Sequence, residues 1–406
     1  MVTPSEALDL VLRRVQGQGW AGADPYDALL SPPGRALIPL GPAARMAFTQ
    51  AALRWPAFRA AIRPPATVNP KGLALFLGGI LRGWSALGPE RAAALGTELR
   101  GLLDSLAVLD GKCAGWGYPF PWQSRFLWAP AGTPNAVVTA TVGGHLLDWA
   151  DHARGLGADD PRARELASGA ALFLSEKLHH SAVGVKGSAV SYTSRDTSRI
   201  VNVSMLVARL LARVSRAPGG TAEARRMRDQ ATRLLQFAIA EQREDGTWAY
   251  ARERRGAWVD SFHTGFVLEG LLALRDRGWN VPDDVIRRGF DAYDGFFDPD
   301  GGARLYREAG SALDAHSAAQ GIVTYAARAT GAGVPEGLRA GARDMALRIA
   351  RWSLERLWIP DRNCFAYRVR NGKRDERDYT RWVQSWMALG MGAALELERI
   401  PELQSA

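Results

Sequence analysis

Glu241-Gln242-Arg243-Glu244-Asp245-Gly246-Thr247-Trp248-Ala249-Tyr250, followed by the apolar run that opens at Asp260-Ser261, holds the pattern that decides the fold. It reads as the end of an amphipathic helix, a Gly/Asp turn, a short aromatic strand-like run, a polar loop and then a second, more apolar helix. The same cassette recurs around Gly115-Trp116-Gly117-Tyr118, Val190-Ser191-Tyr192, Ala303-Arg304-Leu305-Tyr306 and Cys364-Phe365-Ala366-Tyr367. Self-similarity at this period marks a repeat of helical hairpins.

Extended to the whole chain, the pattern predicts six apolar helices. They begin near Asn69-Pro70-Lys71-Gly72, Thr133-Pro134-Asn135, Thr197-Ser198-Arg199, Asp260-Ser261, Asp314-Ala315 and Asp378-Tyr379-Thr380. Each is preceded by a more charged amphipathic helix: Ser5 to Gln16 or Pro42 to Ala61 for the first, then Pro89 to Leu109, Pro161 to Leu178, Ala222 to Arg243, Pro282 to Phe296 and Pro335 to Leu357. Pro near a helix start suits the first turn, where its missing N–H costs nothing. Hairpins that each bury one stripe must close on their neighbours. The expected fold is therefore all-α, an (α/α)6 toroid of six helical hairpins with short strand-like aromatic connectors. It takes in residues 1–406 as one domain, with 1–65 as an N-terminal cap and first outer helix region. Gly78-Gly79, Gly143-Gly144 and Ala318-Ala319 suit the apolar helices to the crowded inner ring. All inner helices then begin at one end, where their partly positive N-termini converge on a cavity.

Composition excludes several classes. With 47% hydrophobic and 23% charged residues, and no apolar run near the roughly 18 residues of a membrane helix, the chain reads as globular with no integral membrane segment. The start, Met1-Val2-Thr3-Pro4-Ser5-Glu6, shows no basic segment leading into an apolar core, so the expected location is cytoplasmic. The net charge of +9 comes from scattered Arg such as Arg225-Arg226-Met227-Arg228, interleaved with acids and without a nucleic-acid-binding motif. No nucleic-acid partner is expected. Cys113 and Cys364 lack the close second ligand of a zinc site and read as buried apolar thiols. Neither a metal nor a cofactor is expected.

The loops entering the inner helices carry the candidate chemistry. Asp260 and His263 open the fourth inner helix; Asp314 and His316 open the fifth, with Gln320 one turn further on. A carboxylate beside an imidazole orients the ring and sets its tautomer, as proton transfer requires. Each Asp equally suits a helix N-cap. Arg195, Arg199 and Asn202 surround the third inner helix start, where a cation opposes the helix dipole unless it binds a carboxylate, a phosphate or the neighbouring Asp196. Tyr118, Trp122 and Arg125, joined by Tyr192, form an aromatic group suited to sugar rings. Arg381, Trp382 and Gln384 repeat that theme at the sixth helix. Asp24-Pro25-Tyr26-Asp27 reads either as a cap over the cavity or as a plain Asx-Pro turn.

Several of these stretches together resemble a known family. Gly22-Ala23-Asp24-Pro25-Tyr26-Asp27, Asn69-Pro70-Lys71-Gly72-Leu73-Ala74-Leu75-Phe76, Gly115-Trp116-Gly117-Tyr118 with Trp122-Gln123-Ser124-Arg125, Ser261-Phe262-His263-Thr264-Gly265-Phe266, Ala315-His316-Ser317-Ala318-Ala319-Gln320 and Arg381-Trp382 resemble the VpsJ-like polysaccharide-biosynthesis proteins nearly end to end. Ser261 departs from that pattern, which places Asn there. The resemblance implies the six-hairpin toroid superfamily of glycosidases, uronate lyases, sugar epimerases and terpenoid cyclases. It also implies a place in exopolysaccharide assembly, and it carries over no catalytic residue. Gln242-x3-Gly246-x-Trp248 is similar to the structural hairpin junction of triterpene cyclases.

The function expected is a carbohydrate-active enzyme of exopolysaccharide or glycoconjugate biosynthesis that hydrolyses, eliminates or epimerises an acidic glycan or lipid-linked sugar. Asp260, His263, Asp314 and His316 would serve as acid and base, with the Arg, aromatic and amide groups binding substrate. The alternatives are a terpenoid cyclase-like enzyme on an isoprenoid and a non-catalytic glycan-binding protein. For the cyclase, neither D-x-D-D nor D-D-x-x-D occurs.

Overall fold

The computed structural model describes residues 2–216 and 220–400. Twelve helices make the six hairpins, outer then inner in each pair: α1 (Pro4–Gly17) and α2 (Pro70–Arg82), α3 (Pro89–Ser105) and α4 (Ala136–Gly155), α5 (Pro161–Glu176) and α6 (Val201–Val214), α7 (Ala222–Ala240) and α8 (Ser261–Arg275), α9 (Asp283–Asp294) and α10 (Ala315–Thr330), α11 (Ala342–Arg356) and α12 (Ser385–Glu398). Capping fixes many of the starts. Thr3 and Glu6 form a capping box on α1, and Asn69, Asn135, Asp160, Thr221, Asp260 and Asp314 each accept a backbone N–H of the helix that follows.

Burial separates the two rings. Pro70–Ile80 of α2 and Ser385–Leu395 of α12 are buried without a break, as a helix enclosed on all sides must be. On α7 only a stripe through Ala224, Met227, Ala231, Leu234, Leu235, Phe237 and Ala238 is buried, and the opposite face carries Arg and Asp. The inner helices pack in a closed cycle, α2 on α4, α6, α8, α10, α12 and back to α2, which is the (α/α)6 toroid. A Cβ on Gly79 would stand 2.7 Å from the Ala388 carbonyl oxygen, so closure between α2 and α12 depends on a missing side chain there.

The aromatic connectors are less regular than expected. Cys113–Gly115, Gly187–Val190 and Cys364–Phe365 pair as short strands with Val108–Asp110, His180–Val183 and Trp358–Ile359. The runs at 247–250 and 303–306 form no strand; isolated bridges replace one, at Ala251 just past the first and at Ala303 and Arg304 in the second. At the first of these, Gln242 Nε2 donates to the carbonyls of Gly246 and Val285 while buried Trp248 donates to Ala238, a hairpin junction as expected. Cys113 and Cys364 are free and buried.

The first outer helix is α1, which packs on α12, and not Pro42 to Ala61. Residues between α1 and α2 include the helices Pro32–Leu37, Pro42–Arg54 and Pro56–Ile62 around a small separate apolar cluster of Ala28, Ala52 and Ile62. Ala21–Gly22 pairs with Thr67–Val68, and this pairing sets Asp24 and Tyr26 against the start of the sixth inner helix. Among the described residues no helix is long and apolar enough to cross a membrane.

Candidate active site

Because the inner helices start at one end, their first turns form a ring of equivalent positions. The second residues of the six are Lys71, Val137, Asn202, Phe262, His316 and Trp386. The sixth helix is entered through a π-helical turn, Thr380–Gln384, which adds Arg381 and Trp382. Aromatic side chains from the connectors fill the space above. Tyr118 stacks on Phe120 at 5.4 Å, and Trp122 lies 5.7 Å from Tyr118 and 5.0 Å from Tyr192. The Tyr118 and Tyr192 hydroxyls meet at 3.0 Å.

Asp260 and His263 form the expected dyad. Asp260 caps α8 through Oδ1, which accepts the His263 N–H at 3.0 Å, while Oδ2 lies 2.6 Å from His263 Nδ1 and accepts the Trp258 indole N–H at 3.0 Å. Three donors converge on one buried carboxylate, so Asp260 is an acceptor and the ring proton sits on Nδ1. Nε2 is left without a bond to any of the described residues. The ring is a partly exposed residue held between Tyr250 at 4.6 Å and Phe262 at 4.3 Å. Tyr250 in turn stacks on Trp258 at 4.5 Å, with the Arg125 guanidinium 5.1 Å above the Trp258 ring.

Asp314 and His316 do not form a second dyad, contrary to the sequence expectation. Asp314 Oδ1 is committed to the backbone N–H groups of His316 and Ser317, at 3.0 and 3.2 Å. Burial pushes this carboxyl up to about 6 despite those bonds. His316 is 1% exposed, and neither ring nitrogen has a partner. Its ring is sandwiched between Phe262 at 4.3 Å and Trp386 at 4.5 Å, with the edge of Trp382 at 4.7 Å. Burial, with Lys71 and Arg381 nearby, holds His316 well below the usual imidazole range, so it is neutral.

Lys71 belongs to this group and was not singled out as a site residue by the sequence. Its Nζ lies 5.2 Å from the Trp386 ring centre and 5.6 Å from that of Phe266. The signal that could have found it is a cation in the first turn of an otherwise apolar helix, where the dipole opposes it.

The remaining candidates divide. Arg381 is at the mouth but already engaged: it grips Asp24 through Nε and, at 2.8 Å, through Nη2, and its guanidinium lies over Tyr118 and Trp382. Trp382 meets Tyr26 at 5.3 Å, so the Asp24–Tyr26 turn lies against the entry to the sixth inner helix, and Asp24 also accepts the Tyr26 N–H as an Asx turn. Asn202 is buried in the first turn of α6 with its Oδ1 unpartnered. Gln384 is a correction: it lies in the core, bonded to both backbone groups of Phe365 and to Asp378, and serves the connector. Gln320 likewise points between α8 and α10, donating to Glu269 and to Thr324 at 2.9 Å. Arg199 is bound by Glu253 at 2.9 Å. Arg195 is exposed and does not pair with Asp196, whose oxygens take Tyr192, Thr193 and Ser198 donors. It lines an open groove of about 460 Å³ with Phe126, Trp128, Glu253 and Arg255. Phe126 lies 5.9 Å from Tyr250, so the groove runs up to the His263 side of the mouth.

No protein-family model matches the chain, and no curated protein is detectably similar in sequence. Solved structures are similar in fold. The GH76 α-mannanase of Bacteroides thetaiotaomicron aligns with a TM-score of 0.59 at 13% identity, over 81% of this chain and 86% of that one. Cellobiose 2-epimerase from Bacillus thermoamylovorans gives 0.59 at 10% identity, over 82% and 88%. The Lin0763 protein of Listeria innocua gives 0.57 at 13%, over 98% and 99%. At these identities the likeness is one of fold: the chain shares the toroid of known glycosidases and sugar epimerases.

Proposed function

We propose that this protein is a carbohydrate-active enzyme in which His263, oriented by Asp260, moves a proton to or from a sugar. The observation that carries this is the 2.6 Å contact between His263 Nδ1 and Asp260, which leaves Nε2 as a base facing an aromatic mouth. The partly exposed Trp122, Tyr250 and Trp382 supply the flat faces on which sugar rings rest, with Tyr118 and Tyr192 buried behind them. Asp314, His316, Arg381 and Asn202 complete the wall. Arg125, Arg195 and Arg199 lie further out, where a longer glycan would extend.

Epimerisation or elimination, each beginning with removal of a proton from carbon, suits these groups better than hydrolysis. A two-carboxylate glycosidase needs a free acid and a free nucleophile or base. Here Asp24 is bound by Arg381 and Asp260 by His263, which leaves Asp314, held by backbone N–H groups through Oδ1 alone, as a single carboxyl where two are needed. In the Salegentibacter GH76 mannanase, an inactive variant replaces two consecutive aspartates. The consecutive aspartates of this chain, Asp159–Asp160 and Asp283–Asp284, stand at the starts of outer helices α5 and α9. That end of the toroid is one inner-helix length, on the order of 20 Å, from the mouth. The VpsJ-like resemblance adds a pathway, exopolysaccharide or glycoconjugate assembly, with an acidic glycan or lipid-linked sugar as substrate.

The test is turnover by the purified protein on reducing disaccharides and uronate-containing oligosaccharides, followed by NMR. Wild type is expected to epimerise or eliminate a member of the panel, and His263→Ala to lose that turnover by about 10²–10⁴-fold. Equal turnover in the variant would exclude His263 as the base; binding without turnover in wild type would make this a glycan-binding protein.

A further inference from the structure

We propose that Lys71 is the seat of an anionic group of the substrate, the carboxylate of a uronic acid or the phosphate of a sugar phosphate. This rests on the carbohydrate reading of the mouth and names the class of sugar it takes.

Lys71 is 4% exposed, yet its ammonium has no acceptor among the described residues. Every other buried charged side chain there has a partner: Arg381 with Asp24, Arg59 with Asp27, Glu269 with Arg209, Asp260 with His263, and Asp314 with the N–H groups it caps. A buried, unpaired cation is costly, and the faces of Phe266 and Trp386 offset only part of that cost. An uncompensated charge is retained where something else supplies the opposite sign.

The neighbours fit an anion. His316, whose two ring nitrogens are unpartnered, and Arg381 both act on Lys71 or are acted on by it. Asp24 is the one carboxylate that bears on Lys71, and it is saturated by Arg381. The N-termini of α2, α8 and α10 add partial positive charge. Burial has brought the Lys71 amine down to about 7, and an anion beside it would draw the proton back. Phe266 connects the two halves of the site, with Lys71 Nζ 5.6 Å and the His263 ring 6.2 Å from its centre. An acidic sugar anchored at Lys71 therefore places its ring against the base.

Thermal melting and calorimetric titration with inorganic phosphate, glucuronate, glucose 1-phosphate and glucose test this on wild type, Lys71→Met and Lys71→Gln. Wild type is expected to be stabilised by at least one of the three anions and not by glucose at equal concentration. Which anion acts separates a carboxylate from a phosphate specificity. Both variants are expected to bind that anion about tenfold or more weakly, as loss of a charged partner dictates. Unliganded Lys71→Met is expected to melt above wild type, because a methionine fills the aromatic slot without a charge. The proposal is overturned if no anion stabilises wild type, if the variants respond as wild type does, or if Lys71→Met melts lower and so marks a structural lysine. Turnover of neutral sugars that Lys71→Met leaves unchanged would overturn it while His263 stood. Lys71-dependent binding of phosphate by a protein that turns over no sugar would uphold the anion seat and remove the carbohydrate function.

Discussion

The starts of α8 and α10 carry nearly the same words, Asp-Ser-Phe-His and Asp-Ala-His-Ser, and fold into different devices. At both, Asp is the N-cap and takes backbone N–H groups of the first turn. His263 is the third helical residue, the position from which a side chain reaches back to the cap, and it touches Asp260. His316 is the second, so its ring turns into the shaft and meets its positional equivalent on α8, Phe262, at 4.3 Å with the rings 10° from parallel. One residue of spacing thus decides whether an imidazole is held by its cap carboxylate or becomes a wall of an aromatic stack. Two Asp/His pairs in the sequence amount to one dyad and one lining residue.

The comparison can be broken in four ways. The largest effect is expected from the two histidines themselves: His263→Ala should lower turnover about 10²–10⁴-fold with little change in substrate binding, whereas His316→Ala should act mainly on binding. Steady-state kinetics beside titration separates the two. Next come the caps. Asn caps a helix as well as Asp, so Asp260→Asn should keep the melting temperature yet lose about a hundredfold in turnover through a misoriented ring, while Asp314→Asn should leave turnover within about threefold. A smaller effect follows from exchanging His316 for the residue its equivalent position carries. His316→Phe removes two unpartnered buried nitrogens and should stabilise the protein by about 1–2 kcal/mol in denaturant titrations.

The fourth is a pH effect that, above pH 7, belongs to the start of α2 rather than to those of α8 and α10. Lys71 in the folded protein titrates near 7, below its ordinary 10.5, so above pH 7 the unfolded chain holds the extra proton. Stability should therefore rise with pH from 7 toward 10 relative to Lys71→Met, by no more than about 1.4 kcal/mol per pH unit. Asp24, Arg381 and His316 face the same group. Denaturant melts of both proteins at pH 6.5, 8 and 9 check the sign.

Much of the toroid was legible because its information is local and repeated. Apolar stripes, N-caps at Asn69, Asp260 and Asp314, and prolines in first turns each recur with the hairpin. The convergence of first turns on one mouth followed from that alone, and so did the Asp260–His263 dyad, whose two members are three residues apart. Features made by ring closure were not legible. Arg381 and Asp24 are separated by 357 positions and meet only because the first and last segments adjoin. Gln384 and Gln320 read as site amides because nothing local betrays their partners Phe365 and Glu269. Lys71 was open to the same dipole reasoning that was spent on Arg195 and Arg199, two groups that lie outside the mouth. The 247–250 and 303–306 runs stop at isolated bridges, of Ala251 with Ile200, Ala303 with Phe297 and Arg304 with Leu313, because strand propensity within one run does not extend its partner into a ladder.

The claim at the centre of this account is that His263 takes a proton from a sugar carbon, and solvent exchange reads that step directly. Wild type and His263→Ala, incubated in D₂O with glucuronate-containing and neutral disaccharides, should differ in the ¹H spectrum. Wild type is expected to wash deuterium into one carbon position of an acidic sugar, and the variant to leave that signal intact. Deuterium incorporation at the same rate in both proteins would contradict the account.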